Sequence, residues 1–386
     1  MSIDLAKHVE QKFNERFGET PMVFRSPGRV NIIGEHTDYN NGFVLPAAID
    51  KAIYIGIKRR DDDQIILYSE EFRQDHKSDV AGVKPSEKQW PNYILGVVDQ
   101  LNKKGYKIHG FNLNIEGNVP IGSGLSSSAA VECATAFALN SLFNLDIEKR
   151  ELALISQKAE HEFAGVMCGI MDQFASVFGK KDHVIRLDCM TTEFEYVPLK
   201  LEGYKILLLN TNVKHSLASS EYNTRRKECH DGVEMVRQKY PEVKSLRDVN
   251  MAMLNECVIG KDDLIYKRCK YVVEENERLF SACDALIKGD LRTLGKNMYG
   301  SHDGLSTEYE VSCKELDFLV DAVRTNNNVM GARMMGGGFG GCTINLVKEE
   351  AIEKLVEELS ASYNKEMRLD LTAYIAETSD GSSQVK

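Results

Sequence analysis

Between Pro120 and Leu139 the chain reads Pro-Ile-Gly-Ser-Gly-Leu-Ser-Ser-Ser-Ala-Ala-Val-Glu-Cys-Ala-Thr-Ala-Phe-Ala-Leu. Gly122 and Gly124 flank Ser123. Hydroxyls follow Leu125 at Ser126, Ser127 and Ser128, and an alanine-rich run of strong helix formers comes next. Glycine lets backbone N–H groups approach an anion, and a helix start adds partial positive charge. The stretch from Gly122 to Ser128 therefore suits phosphate, the alternative being an ordinary capped helix after a glycine turn. The chain has no G-x-x-x-x-G-K-[ST], and this loop carries no lysine. Phosphate charge would be met by hydroxyls, the helix start and a metal ion. Magnesium in such sites takes one or two carboxylates plus phosphate oxygens and water.

A second polar cluster runs from Ser26 to Gly42, where Arg29, Glu35, His36 and Asp38 sit among turn formers with Asn31, Thr37, Asn40 and Asn41. Carboxylates and an imidazole at this density can donate to and accept from the hydroxyls of a polyhydroxylated ligand. Metal binding is the rival reading, although adjacent Glu35 and His36 cannot both face one ion from a regular helix or strand. A third cluster ends in Asp172, an acid among Gly169, Ile170, Met171 and Phe174. A carboxylate in apolar company points to function, and the alternative is a cap on a helix from Gln173 to Phe178. In the fourth, Gly336, Gly338 and Gly341 satisfy G-x-G-x-x-G, but a strand, Thr343–Val347, follows where a dinucleotide site needs a helix. So dense a run of glycines predicts a backbone pressed against another surface, either the phosphate loop or its ligand.

The elements that position these clusters follow from periodicity. Alternating apolar residues predict strands at Phe43–Ala48, Ala52–Ile57, Gln64–Tyr68, Phe111–Ile115 and Tyr204–Leu209. Helical spacing predicts helices at Tyr93–Leu101, Ser128–Leu142 and Glu151–Phe163, and a mostly helical second half from Ser219 to Thr325. A helix at Glu349–Tyr363 and a last strand at Leu371–Ala376 close the pattern. Strands and helices are segregated, which predicts an α+β fold. The shift to helical content puts a domain boundary near residue 205, giving domains 1–205 and 206–386. With no repeat or low-complexity linker, the two should pack tightly.

Composition bounds the rest. A length of 386 residues predicts two domains, and 42% hydrophobic with 27% charged residues describes a globular protein. A net charge of −10 argues against nucleic acid. No apolar run approaches the ~18 residues of a membrane span. Leu5, Val9, Phe13 and Phe17 predict an amphipathic surface helix rather than a signal peptide. Nine cysteines without a C-x-x-C pair predict reduced thiols in a cytoplasmic protein, and Cys168 is read as packing rather than catalytic.

Taken together, Gly28–Asn40, Gly122–Ala129, Cys168–Gln173, Ser219–Cys229 and Gly336–Gly341 resemble the galactokinases, a branch of the GHMP small-molecule kinase family. The similarity runs from about Arg25 to Asp380. The Gly28–Asn40 motif is specific to that branch, whereas the phosphate loop marks only the superfamily. The resemblance implies a two-domain fold: an N-terminal ribosomal-protein-like α/β domain, a ferredoxin-like C-terminal domain, and the active site in the cleft between. It also implies that the final strand returns to the first domain. The implied reaction is ATP-dependent phosphorylation of galactose at its anomeric hydroxyl, the first committed step of galactose catabolism by the Leloir pathway.

Carried over to this sequence, the resemblance gives Glu35, His36, Thr37, Asp38, Asp172 and Tyr222 to the sugar. Asp172 acts as base or orienting group, and Arg29 stabilises the transferred phosphoryl group. Gly122, Ser123, Gly124, Leu125, Ser126, Ser127 and Ser128 cradle the nucleotide, with a further contact at Ser69. Ser128 and Glu160 hold Mg2+. The expected partners are galactose and ATP, with no nucleic acid, no membrane and a monomeric chain. The rival readings are a kinase for another sugar such as N-acetylgalactosamine, a sugar sensor with an inactive kinase fold, and a mevalonate or homoserine kinase. Intact serines at 126–128 with Arg29 and Asp172 disfavour the sensor. The Glu35–Asp38 block disfavours the last.

Overall fold

A computed structural model describes residues 4–213 and 218–386, without the side chains of residues 218–220. Ser219 and Ser220 of the Ser219–Cys229 block thus have side chains outside the described residues. The chain opens with α1 (Leu5–Phe17), then β1 (Met22–Asn31), β2 (Phe43–Val44), β3 (Pro46–Arg59), β4 (Gln64–Ser69) and β5 (Gln74–Asp79). Next come α2 (Asn92–Lys103), β6 (Phe111–Gly117), α3 (Ser127–Leu142), α4 (Lys149–Ala159), α5 (Met171–Phe178), β7 (His183–Asp188) and β8 (Phe194–Pro198). The remainder runs β9 (Tyr204–Asn210), α6 (Ala218–Arg237), α7 (Met251–Cys257), α8 (Asp263–Lys288), α9 (Leu291–Thr307) and α10 (Lys314–Arg324). It closes with β10 (Val329–Met334), β11 (Cys342–Lys348), α11 (Ile352–Met367), β12 (Thr372–Ala376) and β13 (Ser383–Gln384). Among the described residues no helix is long and apolar enough to cross a membrane.

One sheet has the order β13-β1-β3-β6-β4-β5, a second β10-β11-β9-β12, and a small one β2-β7-β8. The four-residue spacing read in α1 buries Val9 and Phe13 over Gly56 of β3, where any side chain would crowd both. Alternation along β1, β3 and β6 places Phe24, Ile55 and Leu113 in a core that also takes Ile206 and Leu208 from β9, Leu279 from α8 and Ile344 from β11. That core is continuous across the two larger sheets, so apolar burial welds the halves together.

The predicted strands at Phe43–Ala48 and Ala52–Ile57 form one long strand, β3, preceded by the short β2. Within β3, Ile49, Asp50 and Lys51 stand opposite Gly28 alone of β1, a bulge at which the Asp50 N–H donates to the Glu377 carbonyl at 2.8 Å. The expectation that the strand near 371–376 returns to the first domain is corrected: β12 pairs with β9 inside the second sheet. Leu371 and Ala373 pack with Leu355 and Leu359 of α11, which anchors that strand there. The segment that does return is β13, which pairs with β1 at Phe24 and Arg25. The helix predicted to reach Phe163 stops at Ala159. Glu160–Ala164 widens into a π turn, a form that recurs at functional sites.

Candidate active site

Strand β6 leads into the phosphate loop, and α3 leaves it. Gly122 and Gly124 adopt φ of +74° and +75°, and Ser126 at the helix start adopts φ of +60°. Left-handed geometry at a non-glycine residue is strained, and it turns the Ser126 hydroxyl toward α5. Ser123 donates to the Pro120 carbonyl at 2.6 Å and Leu125 is buried, so both side chains brace the loop from within. The Leu125 carbonyl accepts the Arg29 N–H at 3.1 Å, and a Cβ on Gly28 would stand only 2.6 Å from that oxygen. The glycine loop between β10 and β11 lies on the other side. A Cβ at Gly336 would be 3.6 Å from the Gly124 carbonyl oxygen, and one at Gly341 3.5 Å from that of Ser123. The glycine run therefore presses on the phosphate loop, one of the two surfaces its sequence allowed.

Arg29 and Asp172 meet at the centre. Arg29 Nε donates to Asp172 Oδ1 at 2.8 Å and Nη2 to Oδ2 at 3.0 Å, while Nη1 reaches the Gly124 carbonyl at 2.5 Å. Ser126 also donates to Asp172 Oδ2, at 2.5 Å. Burial opposes the charge on Arg29, but Asp172 and Glu35 outweigh it and hold the guanidinium above its ordinary pKa. Asp172 lies in the first turn of α5 beyond the cap position, taken by Ile170, and its side chain turns to Arg29 and Ser126 rather than to the helix start. The capping alternative therefore fails.

Arg29, Glu35, His36, Asp38, Glu160, Asp172, Tyr222 and the Gly336–Gly337 backbone line a cavity of about 160 Å³. Glu35 is anchored, with Oε1 accepting from Arg333 at 3.0 Å and from the Gly336 N–H at 2.8 Å. Burial lowers the His36 pKa to about 3, leaving a neutral imidazole. Burial, then the neighbouring Asp172, raises Asp38 to about 7. Thr37 stands apart from the cavity lining: its hydroxyl faces the carbonyls of Gly34 at 2.9 Å and Phe43 at 2.5 Å and closes the turn that carries its neighbours.

A second cavity, of about 750 Å³, is lined by Ser69, Phe72, Trp90, Tyr93, Ser127 and Ser128, among others. Phe72 and Trp90 stack with ring centroids 6.5 Å apart, an apolar wall beside the phosphate loop. Ser128 of this cavity lies beside Glu160 of the smaller one, where its hydroxyl favours the ionised carboxylate, so the two meet there. Burial and then Asp172 raise the Glu160 pKa. Among the described residues no group of three His, Cys, Asp or Glu side chains could hold a metal by itself. A hydroxyl and a buried carboxylate at the junction fit magnesium, whose remaining ligands would be phosphate oxygens and water.

Three contributions escaped the sequence reading. The Gln173 amide donates to Glu160 Oε2 at 2.7 Å and to Glu132 Oε2 at 3.1 Å, clamping two buried carboxylates. Glu132, four residues after Ser128 on one face of α3, could have been read from spacing, but its meeting with Gln173 could not. Gly169 is required because a Cβ there would fall 1.9 Å from Asp38 Oδ2. Tyr39 packs its ring against His36 and Tyr222.

The profile described as GHMP kinases N terminal domain matches residues 92–180, and GHMP kinases C terminal matches 282–365. The galactokinase galactose-binding signature matches 11–59. A mevalonate kinase from Methanococcus jannaschii shares the fold, with a TM-score of 0.68 at 22% identity over 94% of this chain and 99% of that one. Fold and site thus define a GHMP kinase. Galactokinase from Thermotoga petrophila is 46% identical over 94% of this chain and 100% of its own length. Galactokinase from Clostridium acetobutylicum is 41% identical over 99% and 100%. The crystal structure of Lactococcus lactis galactokinase complexed with galactose matches with a TM-score of 0.94 at 36% identity, over 99% of this chain and 100% of that one. The chain belongs to the galactokinase family.

Proposed function

We propose that the two joined cavities are the two substrate sites of one phosphoryl transfer. The enzyme is an ATP-dependent sugar kinase that phosphorylates galactose at the C1 hydroxyl, giving galactose 1-phosphate and ADP. The observation that carries the site reading is the Arg29–Asp172 fork, which puts a guanidinium and a carboxylate together where the phosphate loop adjoins the polar cavity. Phosphoryl transfer needs in-line positioning and charge neutralisation more than covalent chemistry.

Galactose would occupy the smaller cavity among Glu35, His36, Asp38 and Tyr222, and ATP the larger one, with its phosphates over Gly122–Ser128 and its base toward Ser69. The Asp172 carboxylate has a lone pair left on Oδ1 to accept the anomeric O–H, orienting it and receiving its proton as the bond to phosphorus forms. Arg29 would face the equatorial oxygens of the moving group. Ser128 and Glu160 would hold magnesium, which when bound neutralises charge on the phosphates. We further read the chain as two lobes divided near residue 205 and acting as a monomer. Nine free thiols support a reducing, cytoplasmic setting.

The test is coupled ADP release with galactose, N-acetylgalactosamine, glucose, arabinose and mevalonate. Galactose should give the highest kcat/KM, because a site that hydrogen-bonds particular hydroxyls rejects analogues that invert or lack them. Faster turnover of another acceptor would reassign the substrate.

A further inference from the structure

Behind the sugar cavity a row of polar groups leads from His36 into the core. His36 Nδ1 lies 2.7 Å from the Tyr39 hydroxyl, that hydroxyl 2.8 Å from the Tyr309 hydroxyl, and the latter 3.2 Å from Cys229 Sγ. Tyr309 and Cys229 are fully buried. Tyr309 is held by the Tyr271 ring, 4.8 Å away, and Tyr271 in turn donates to the Glu35 carbonyl at 3.0 Å. His36 itself adopts a left-handed φ of +62°, a costly conformation for this residue type. Its Nε2 is buried without a hydrogen-bond partner, and the residue lines the sugar cavity.

A neutral imidazole carries one ring hydrogen, and each tyrosine and the thiol carries one. Hydrogens along the row must therefore all point the same way. In one order Cys229 donates to Tyr309, Tyr309 to Tyr39 and Tyr39 to Nδ1, which leaves the imidazole hydrogen on Nε2. In the other, Nδ1 donates outward and Nε2 faces the cavity bare. The 2.7 Å contact between Tyr39 and His36 favours the first order, because a phenol hydroxyl is a stronger donor than an imidazole N–H and an imidazole nitrogen a stronger acceptor than a phenol oxygen.

We propose that Tyr39, Tyr309 and Cys229 form an ordered hydrogen-bond row that fixes His36 as the Nε2–H tautomer, so that it meets the sugar as a donor to an oxygen lone pair. Tyr309 and Cys229 are then positioning residues for specificity, acting from the far half of the chain. The consequence for the substrate rests on the reading of the smaller cavity as the sugar site. The tautomer itself does not.

The experiment is long-range 1H–15N correlation on enzyme labelled at histidine nitrogens, with His36→Gln used to assign the His36 signals. Parent enzyme should show the Nε2–H tautomer. Tyr309→Phe, which removes one hydroxyl and little volume, should convert it to a mixture and raise the KM for galactose about tenfold. The KM for MgATP should stay within twofold. Cys229→Ser keeps a donor at the end of the row and should retain the parent tautomer, whereas Cys229→Ala should loosen it. An Nδ1–H tautomer in the parent, or an unchanged tautomer in a folded Tyr309→Phe enzyme, overturns the proposal. A tautomer that responds as described while His36→Gln binds galactose normally would uphold the row and remove His36 from the sugar site.

Discussion

Arg29 and Asp172 are joined by two parallel hydrogen bonds, 2.8 and 3.0 Å long, although 143 residues separate them in the chain. A planar guanidinium and a carboxylate in this fork fix each other's plane as well as their distance. Asp172→Asn keeps one oxygen for Arg29 and removes the charge and the basicity. We expect kcat to fall by roughly 10²-fold or more, with galactose and MgATP still bound. Arg29→Ala should also lower kcat, through lost charge stabilisation. Steady-state kinetics with calorimetric binding checks both. An Asp172→Asn enzyme within about threefold of parental kcat, under about 1 kcal/mol, would take Asp172 out of the reaction.

Ser128→Ala and Glu160→Ala should raise the magnesium concentration needed for half-maximal rate while galactose binding, measured alone by calorimetry, stays near the parental value. The phosphate loop has no lysine, so the metal carries more of the charge. Gln173→Leu should act in the same direction, because it removes the amide that clamps Glu160 against Glu132. Loss of galactose binding in these variants would mean that the residues serve the sugar instead.

Asp38 predicts a pH-dependent stability. Its pKa is about 7 in the folded enzyme against the ordinary 3.8 of an aspartate in an unfolded chain. The folded state therefore binds the proton more tightly, so the stabilising contribution is full below about pH 4 and lost as pH rises through 7. Asp38→Asn has no such loss. Its stability relative to the parent, in the absence of substrates, should increase between pH 4 and 8 by on the order of 4 kcal/mol and then level off. Urea melts at pH 5 and pH 8 would show it. Parallel stability curves for the two proteins would mean that Asp38 ionises freely.

Gly169→Ala should weaken galactose binding at least tenfold and leave MgATP affinity unchanged. The added Cβ would lie 1.9 Å from Asp38 Oδ2, so the carboxylate must rotate away. Overpacking of this kind costs about 1–3 kcal/mol, which a thermal melt would register. An enzyme with parental KM for galactose would show that Asp38 does not need its present rotamer.

Much of this enzyme is legible in local sequence. The glycines and serines of 122–128 announce a strand, a loop and a helix start because left-handed φ and helix propensity are properties of a few adjacent residues. Apolar period gave α1, α2 and α3 to within a few residues for the same reason. The polar density of 29–38 marked a binding block, and the resemblance assigned most of its roles. What local sequence could not decide was partnership. Pairing of β12 with β9, and of β13 with β1, depends on which sheet edge offers free backbone groups and apolar cover, and both edges are built from distant segments. The Gln173 clamp and the Tyr39–Tyr309–Cys229 row likewise exist only after packing brings separate elements within 4 Å. A hydrogen bond acts over about 3 Å of space regardless of separation along the chain, so the types of groups were written in the sequence and their partners were chosen by the fold.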